Sequence, residues 1–183
     1  MLTFRTLFSL LLIALSSLNN FACAEDISAR GWRFLRQGNN SDAMRRFNQA
    51  WLIDYKNGSA LWGIGVISSI NKRSEDSLKL FAEAEGFVGA DIDFAVDYTL
   101  TLGSIAAKDG NQVLLQEAFT RFARVHERAR QHTLNLQSWA ITLVNVGNYA
   151  EAWKKIQLAE ATPRRADLDK RFIAALQAKM PRP

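Results

Sequence analysis

Residues 36–54 read Arg-Gln-Gly-Asn-Asn-Ser-Asp-Ala-Met-Arg-Arg-Phe-Asn-Gln-Ala-Trp-Leu-Ile-Asp. The run Gly38-Asn39-Asn40-Ser41 is a turn, and Asn40 or Ser41 can cap a helix that follows it. In that helix the small Ala43, the large Phe47 and the small Ala50 stand four and three apart, on one helical face. Gly31 lies twelve residues before Ala43, on a preceding segment of helical pattern. The stretch therefore reads as helix, short turn, helix, with small side chains where two helices cross.

The same spacing returns along the chain. Gly65, Ser77, Phe81 and Ala84 repeat the set after a shift of 34. Gly103, Leu115, Phe119 and Phe122 repeat it after a further 38, and Ala140, Ala152, Ile156 and Ala159 after a further 37. Turn signals fall at Asn71 to Ser74, Gly110-Asn111 and Gly147-Asn148, with Asp54 to Gly58 between the first two units. In each unit the small residue of the first helix lets its partner approach, and the large residue of the second fills the space between pairs. One pair alone cannot bury its apolar face, whereas stacked pairs share a core. The extra residues of the later shifts are expected in the turns between units. Gly86 to Asp93, with two glycines, reads as a long one.

With its 34-residue period and segments such as Gly147-Asn-Tyr-Ala-Glu-Ala-Trp153, the chain resembles the tetratricopeptide-repeat (TPR) family over about residues 25 to 166. The resemblance implies an all-α solenoid of about four helix-turn-helix repeats, near residues 25–57, 58–91, 96–129 and 133–166. A capping helix follows near 167–179, with Leu168, Phe172, Ile173 and Leu176 on its apolar face. Tyr55 departs from the family pattern by standing where proline is usual. Leu115 and Phe122 put large side chains where small ones are usual, so the third unit is the least regular.

The resemblance also implies a concave face lined by first helices, which holds an extended peptide or a partner helix. The residues looking inward would be Trp32 and Arg36; Trp62, Val66 and Ser69; Leu100, Ser104 and Lys108; and Gln137, Ile141 and Asn145. Aromatic and arginine side chains are common interface anchors. Trp32 and Trp62 have an equal second reading, as packing residues between helices. The paired-cation carboxylate clamp of chaperone-binding TPR domains is not reproduced by Arg36 and Lys108. Second-helix cations, among them Arg45, Arg46, Lys79, Lys154 and Lys155, read as a solvated convex side.

The N-terminus reads as a leader spanning residues 1–24. Arg5 precedes an apolar run from Leu7 to Leu15, and Ala22-Cys23-Ala24 fits a small-x-small cleavage pattern. The expected mature chain begins at Glu25 and is periplasmic or secreted. The alternative is a membrane-anchored lipoprotein with Cys23 lipidated as its first residue. Cys23 is the single cysteine, so no intramolecular disulfide forms.

Net charge is +5 and the charges are dispersed, which does not read as nucleic-acid binding. No nucleophile elbow, metalloprotease helix, P-loop or dinucleotide fingerprint appears. His126 and His132 stand six apart and read as surface histidines in a basic segment. No enzyme activity, metal or cofactor is expected. The expected function is an exported scaffold or adaptor that binds a protein or peptide, with self-association as a further possibility. The alternative is an accessory factor for a glycan or another anionic envelope polymer, bound through basic surface and groove tryptophans.

Overall fold

The structure, a computed structural model, describes the backbone of residues 4–183 and the side chains of residues 19–183. The side chains of the leader's apolar run lie outside the described residues. Among the described residues there are nine α-helices and no strand: α1 (Phe4–Arg36), α2 (Asn40–Ile53), α3 (Gly58–Ile70), α4 (Ser74–Val88), α5 (Ile92–Asp109), α6 (Gln112–Arg128), α7 (Thr133–Asn145), α8 (Tyr149–Glu160) and α9 (Lys170–Lys179). A short 3-10 turn, Arg165–Asp167, precedes α9. The all-α repeat architecture is the one the spacing predicts. No helix among the described residues is long and apolar enough to cross a membrane.

Two compact units divide the chain at Gly89. In the first, α1 pairs with α2 and α3 with α4, and the hairpins meet through α2 against α3. Phe47 is the centre of that meeting and is wholly buried. Its ring lies between two glycines: a methyl on Gly31 would stand 2.7 Å from the ring, and one on Gly63 would overlap it. Burying one such aromatic contributes about 2–3 kcal/mol. Across the second hairpin, Ser77 Oγ donates to the Gly65 carbonyl oxygen at 2.9 Å, so its hydroxyl is satisfied where the first and fourth units use alanine.

The turn residues occupy equivalent places in every hairpin. Gly38, Gly110 and Gly147 have positive φ, and Lys72 takes the same left-handed conformation at φ 61°. The residue after each of these caps or precedes the second helix. Asn39, Asn111 and Asn148 each accept a backbone N–H three residues on, as N-caps do. Asn39, not Asn40 or Ser41, is thus the first cap. After Lys72 comes Arg73, which makes no side-chain cap.

In the second unit α5 pairs with α6 and α7 with α8. The extra residues do not lengthen the turns. They lengthen the helices, giving α5 18 residues against 13 in α3, and α6 17 against 14 in α2. The additions lie at the start of α5 and the end of α6, where Arg128 Nη2 donates to the Ala90 carbonyl oxygen at 2.9 Å. Gly86 sits inside α4, so the loop expected from Gly86 to Asp93 shrinks to Gly89–Asp91. The buried stripe of α6 also differs from expectation. Leu115, Ala118, Phe122 and Val125 are buried while Phe119 is half-buried, because Ala118 is the residue that meets Gly103. Phe122, where a small residue is usual, is accommodated by stacking on Trp139, with centroids 5.9 Å apart.

The chain's end covers α8. Leu168 and Leu176 are buried, Phe172 and Ile173 pack against the same cores, and Trp153 Nε1 donates to the Met180 carbonyl oxygen at 3.0 Å.

Candidate functional site

In the first unit the residues expected to look inward stand on α1 and α3. Trp32 and Trp62 touch, with centroids 4.5 Å apart. Trp32 also meets Phe47 edge-on at 5.2 Å, and its Nε1 donates to Ser59 Oγ at 2.9 Å. Its ring belongs to the packing between hairpins while part of it stays open. Trp62, Val66 and Ser69 are half-buried, and Arg36 is exposed in the last turn of α1. A guanidinium at a helix C-terminus is favoured by the helix dipole.

In the second unit Leu100, Ser104, Gln137 and Ile141 are half-buried, and Lys108 and Asn145 stand near the ends of α5 and α7, Lys108 being exposed. Gln137 is engaged in the fold, since its Oε1 accepts the Asp169 N–H at 2.7 Å and ties down the start of α9. Within each unit, therefore, the first helices carry part-open side chains between fully buried neighbours.

The two histidines differ in their surroundings. His132 is the N-cap of α7: Nδ1 accepts the Asn135 N–H at 3.2 Å, and Nε2 faces Asp93 Oδ1 at 3.0 Å. An accepting Nδ1 leaves the ring proton on Nε2, where it points at the carboxylate. His126 has a buried Nδ1 without a hydrogen-bond partner. Burial holds its pKa below the usual 6.5, helped by Lys155 and Arg130, with Glu127 opposing. Lys155 lies 3.7 Å from the Trp139 ring centroid, and burial lowers its pKa too. Neither histidine is a plain surface residue, because the lengthened α6 half-buries one within reach of the Lys155 charge and the α7 cap uses the other. No group of three or more His, Cys, Asp or Glu among the described residues could hold a metal.

Two hollows in the first unit were not visible in the sequence. One, of about 690 Å³, gathers exposed Phe21, Tyr55 and Phe87 beside Glu25, Asp54 and Lys56. The other, of about 350 Å³, is lined by Arg30, Arg33, Phe34, Gln37 and Arg46. The spacing of Arg30, Arg33 and Gln37 on one helical face was the available signal; that Arg46 joins them depends on how α2 packs.

No family model matches the sequence, and no curated protein does. Solved structures do match. TTC0263, described as a thermophilic TPR protein in Thermus thermophilus, superposes with a TM-score of 0.71 at 12% identity, covering 87% of this chain and 84% of that one. MamA superposes at 0.58 with 14% identity over 78% of this chain and 80% of its own, and a point mutant of MamA at 0.57 with 16% identity over 88% and 90%. Identity this low with similarity this extensive speaks for backbone architecture alone. On that evidence, the chain has the fold of the tetratricopeptide-repeat proteins.

Proposed function

We propose that this chain is an exported scaffold that holds a partner protein or an extended peptide on its first-helix faces, within an assembly of the cell envelope. The observation behind this reading is the row of part-open side chains on those helices, Trp62, Val66 and Ser69 in one unit and Leu100, Ser104 and Ile141 in the other. They offer apolar area and hydroxyls, with a cation near the end of α1 (Arg36) and of α5 (Lys108). A surface of this kind contributes through area and a few anchors. The role is binding rather than catalysis.

Export rests on the leader. The described part adds a consequence for its processing: Ala24 is wholly buried in the first hairpin's core, and Glu25 Oε1 accepts from Asn57 Nδ2 at 2.8 Å. A chain starting at lipidated Cys23 keeps Ala24, and one starting at Glu25 loses it. Intact mass of protein taken from the envelope fraction distinguishes the two, and a mass starting at Met1 removes the export reading.

The scaffold reading is tested by affinity capture from envelope extract. Arg36→Glu and Lys108→Glu serve as controls because both side chains are exposed and neither belongs to the core. A stoichiometric partner lost in either control is the expected result. A partner unaffected by both refutes the location, and capture of nothing refutes the scaffold.

A further inference from the structure

We propose that Arg30, Arg33 and Arg46 form a binding site for a phosphoryl group, separate from the first-helix face. The three side chains line one hollow of about 350 Å³. Arg30 and Arg33 stand one turn apart on α1, and Arg46 comes from α2. Phe34 packs on the core of the first hairpin and gives the hollow a fixed apolar floor.

The hollow gathers three guanidinium groups with a single directly bonded carboxylate, that of Asp26 on Arg30. Several arginines elsewhere meet a carboxylate of their own neighbourhood, as Arg45 does with Asp42, Arg73 with Asp76, Arg121 with Glu117, Arg164 with Asp167 and Arg182 with Glu160. In the hollow Asp26 takes Arg30 alone. Arg46 Nη1 donates to the neutral Gln49 Oε1 at 3.0 Å, and Arg33 makes no hydrogen bond or ion pair among the described residues. Like charges gathered beside an apolar floor repel each other. Asp42, bonded to Arg45, also feels the charge of Arg46, so once both carboxylates are counted the hollow keeps a positive excess centred on Arg33.

A phosphate monoester carries about −1.5 to −2 charges near neutral pH and three acceptor oxygens. Its three oxygens can take N–H donors from all three arginines at once, whereas a carboxylate offers only two. Guanidinium forks suit phosphate geometry, with paired parallel N–H donors. All three arginines follow Glu25, so the site is the same whichever leader processing occurs.

The phosphoryl group can come from a soluble phosphate compound or from an anionic lipid headgroup. The test uses the protein purified as it accumulates in its host, titrated with inorganic phosphate and, separately, with phosphatidylcholine vesicles with and without phosphatidic acid. Saturable binding of phosphate alone identifies a soluble ligand. Binding that needs phosphatidic acid and is competed by phosphate identifies a headgroup. Arg33→Gln and Arg46→Gln are each expected to weaken binding about tenfold, the loss of one charge-assisted contact. Arg171→Gln makes the same charge change on a side chain that is 97% exposed and is expected to leave binding intact. No saturable binding of either probe, or equal weakening by Arg171→Gln, overturns the proposal. Helical circular dichroism of each variant confirms that losses are not unfolding.

Discussion

Replacing Gly63 by alanine adds one methyl group to the middle of α3. On an exposed helix that change stabilises by about 0.8–1 kcal/mol, because glycine carries the larger entropy cost. Here the added Cβ overlaps the Phe47 ring, and Gly31 on the other side stops the ring from backing away. Overpacking of a filled core costs about 1–3 kcal/mol. The overlap involves three ring atoms, so the upper part of that range applies, and the net expectation is a loss of about 1–2 kcal/mol. Gly86→Ala is the matched control: it sits within α4 with nothing within 4 Å of the added carbon. It is expected to stabilise by about 0.5–1 kcal/mol. Urea unfolding followed by circular dichroism reads both. A double substitution, Gly63→Ala with Phe47→Leu, should recover part of the loss, since the smaller side chain makes room. If Gly63→Ala stabilises as much as Gly86→Ala does, the ring is not held between the two glycines and the packing account of the first unit fails.

Three further outcomes follow from local geometry. Lys72→Gly should stabilise by up to about 1 kcal/mol in the same unfolding assay, because Lys72 holds a left-handed conformation that costs an L-residue about 1–2 kcal/mol, a gain that the entropy of glycine offsets in part. His132→Ala should cost about 1 kcal/mol by removing the α7 cap, and His132→Asn should restore most of it, the exposed Asp93 partner contributing little. His126 has its folded pKa below the usual 6.5, so the unfolded chain binds the proton first as pH falls. Its contribution to stability is therefore complete above about pH 6.5 and declines below it until the folded ring itself titrates, and His126→Gln should flatten that slope in unfolding curves taken across the range.

Much of the fold was legible because the crossing of two helices leaves a mark in one dimension. Gly31, Gly65 and Ala140 are small for the same reason, and Phe47, Phe81 and Ile156 are large for the same reason. Turn glycines added a second mark, since Gly38, Gly110 and Gly147 all serve a left-handed position. The third hairpin was harder. Leu115, Ala118, Phe119 and Phe122 satisfy helical spacing in two ways, and the choice between Ala118 and Phe119 is made by Gly103 and Thr142, which are distant in sequence. Side-chain duties were the least legible. Trp32 as a groove residue and Trp32 as a packing residue have the same sequence signature. Its contacts with Phe47 and Ser59 come from other helices. The arginine hollow joins two helices whose relative rotation no periodicity encodes.

The paired lengthening of α5 and α6 has a consequence for how such a chain can change length. A turn added to one helix of a hairpin exposes apolar and backbone groups unless the antiparallel partner grows at the same end. Here Phe94 and Val125, both buried, and the Arg128 bond to Ala90 occupy that added end. Insertions and deletions in this fold are thus quantised: they are tolerated in whole turns, about three or four residues at a time, and in matched pairs separated by most of a hairpin. A deletion of one turn from α5 alone would behave as a frameshift of packing, and a second deletion at the end of α6 would be its suppressor.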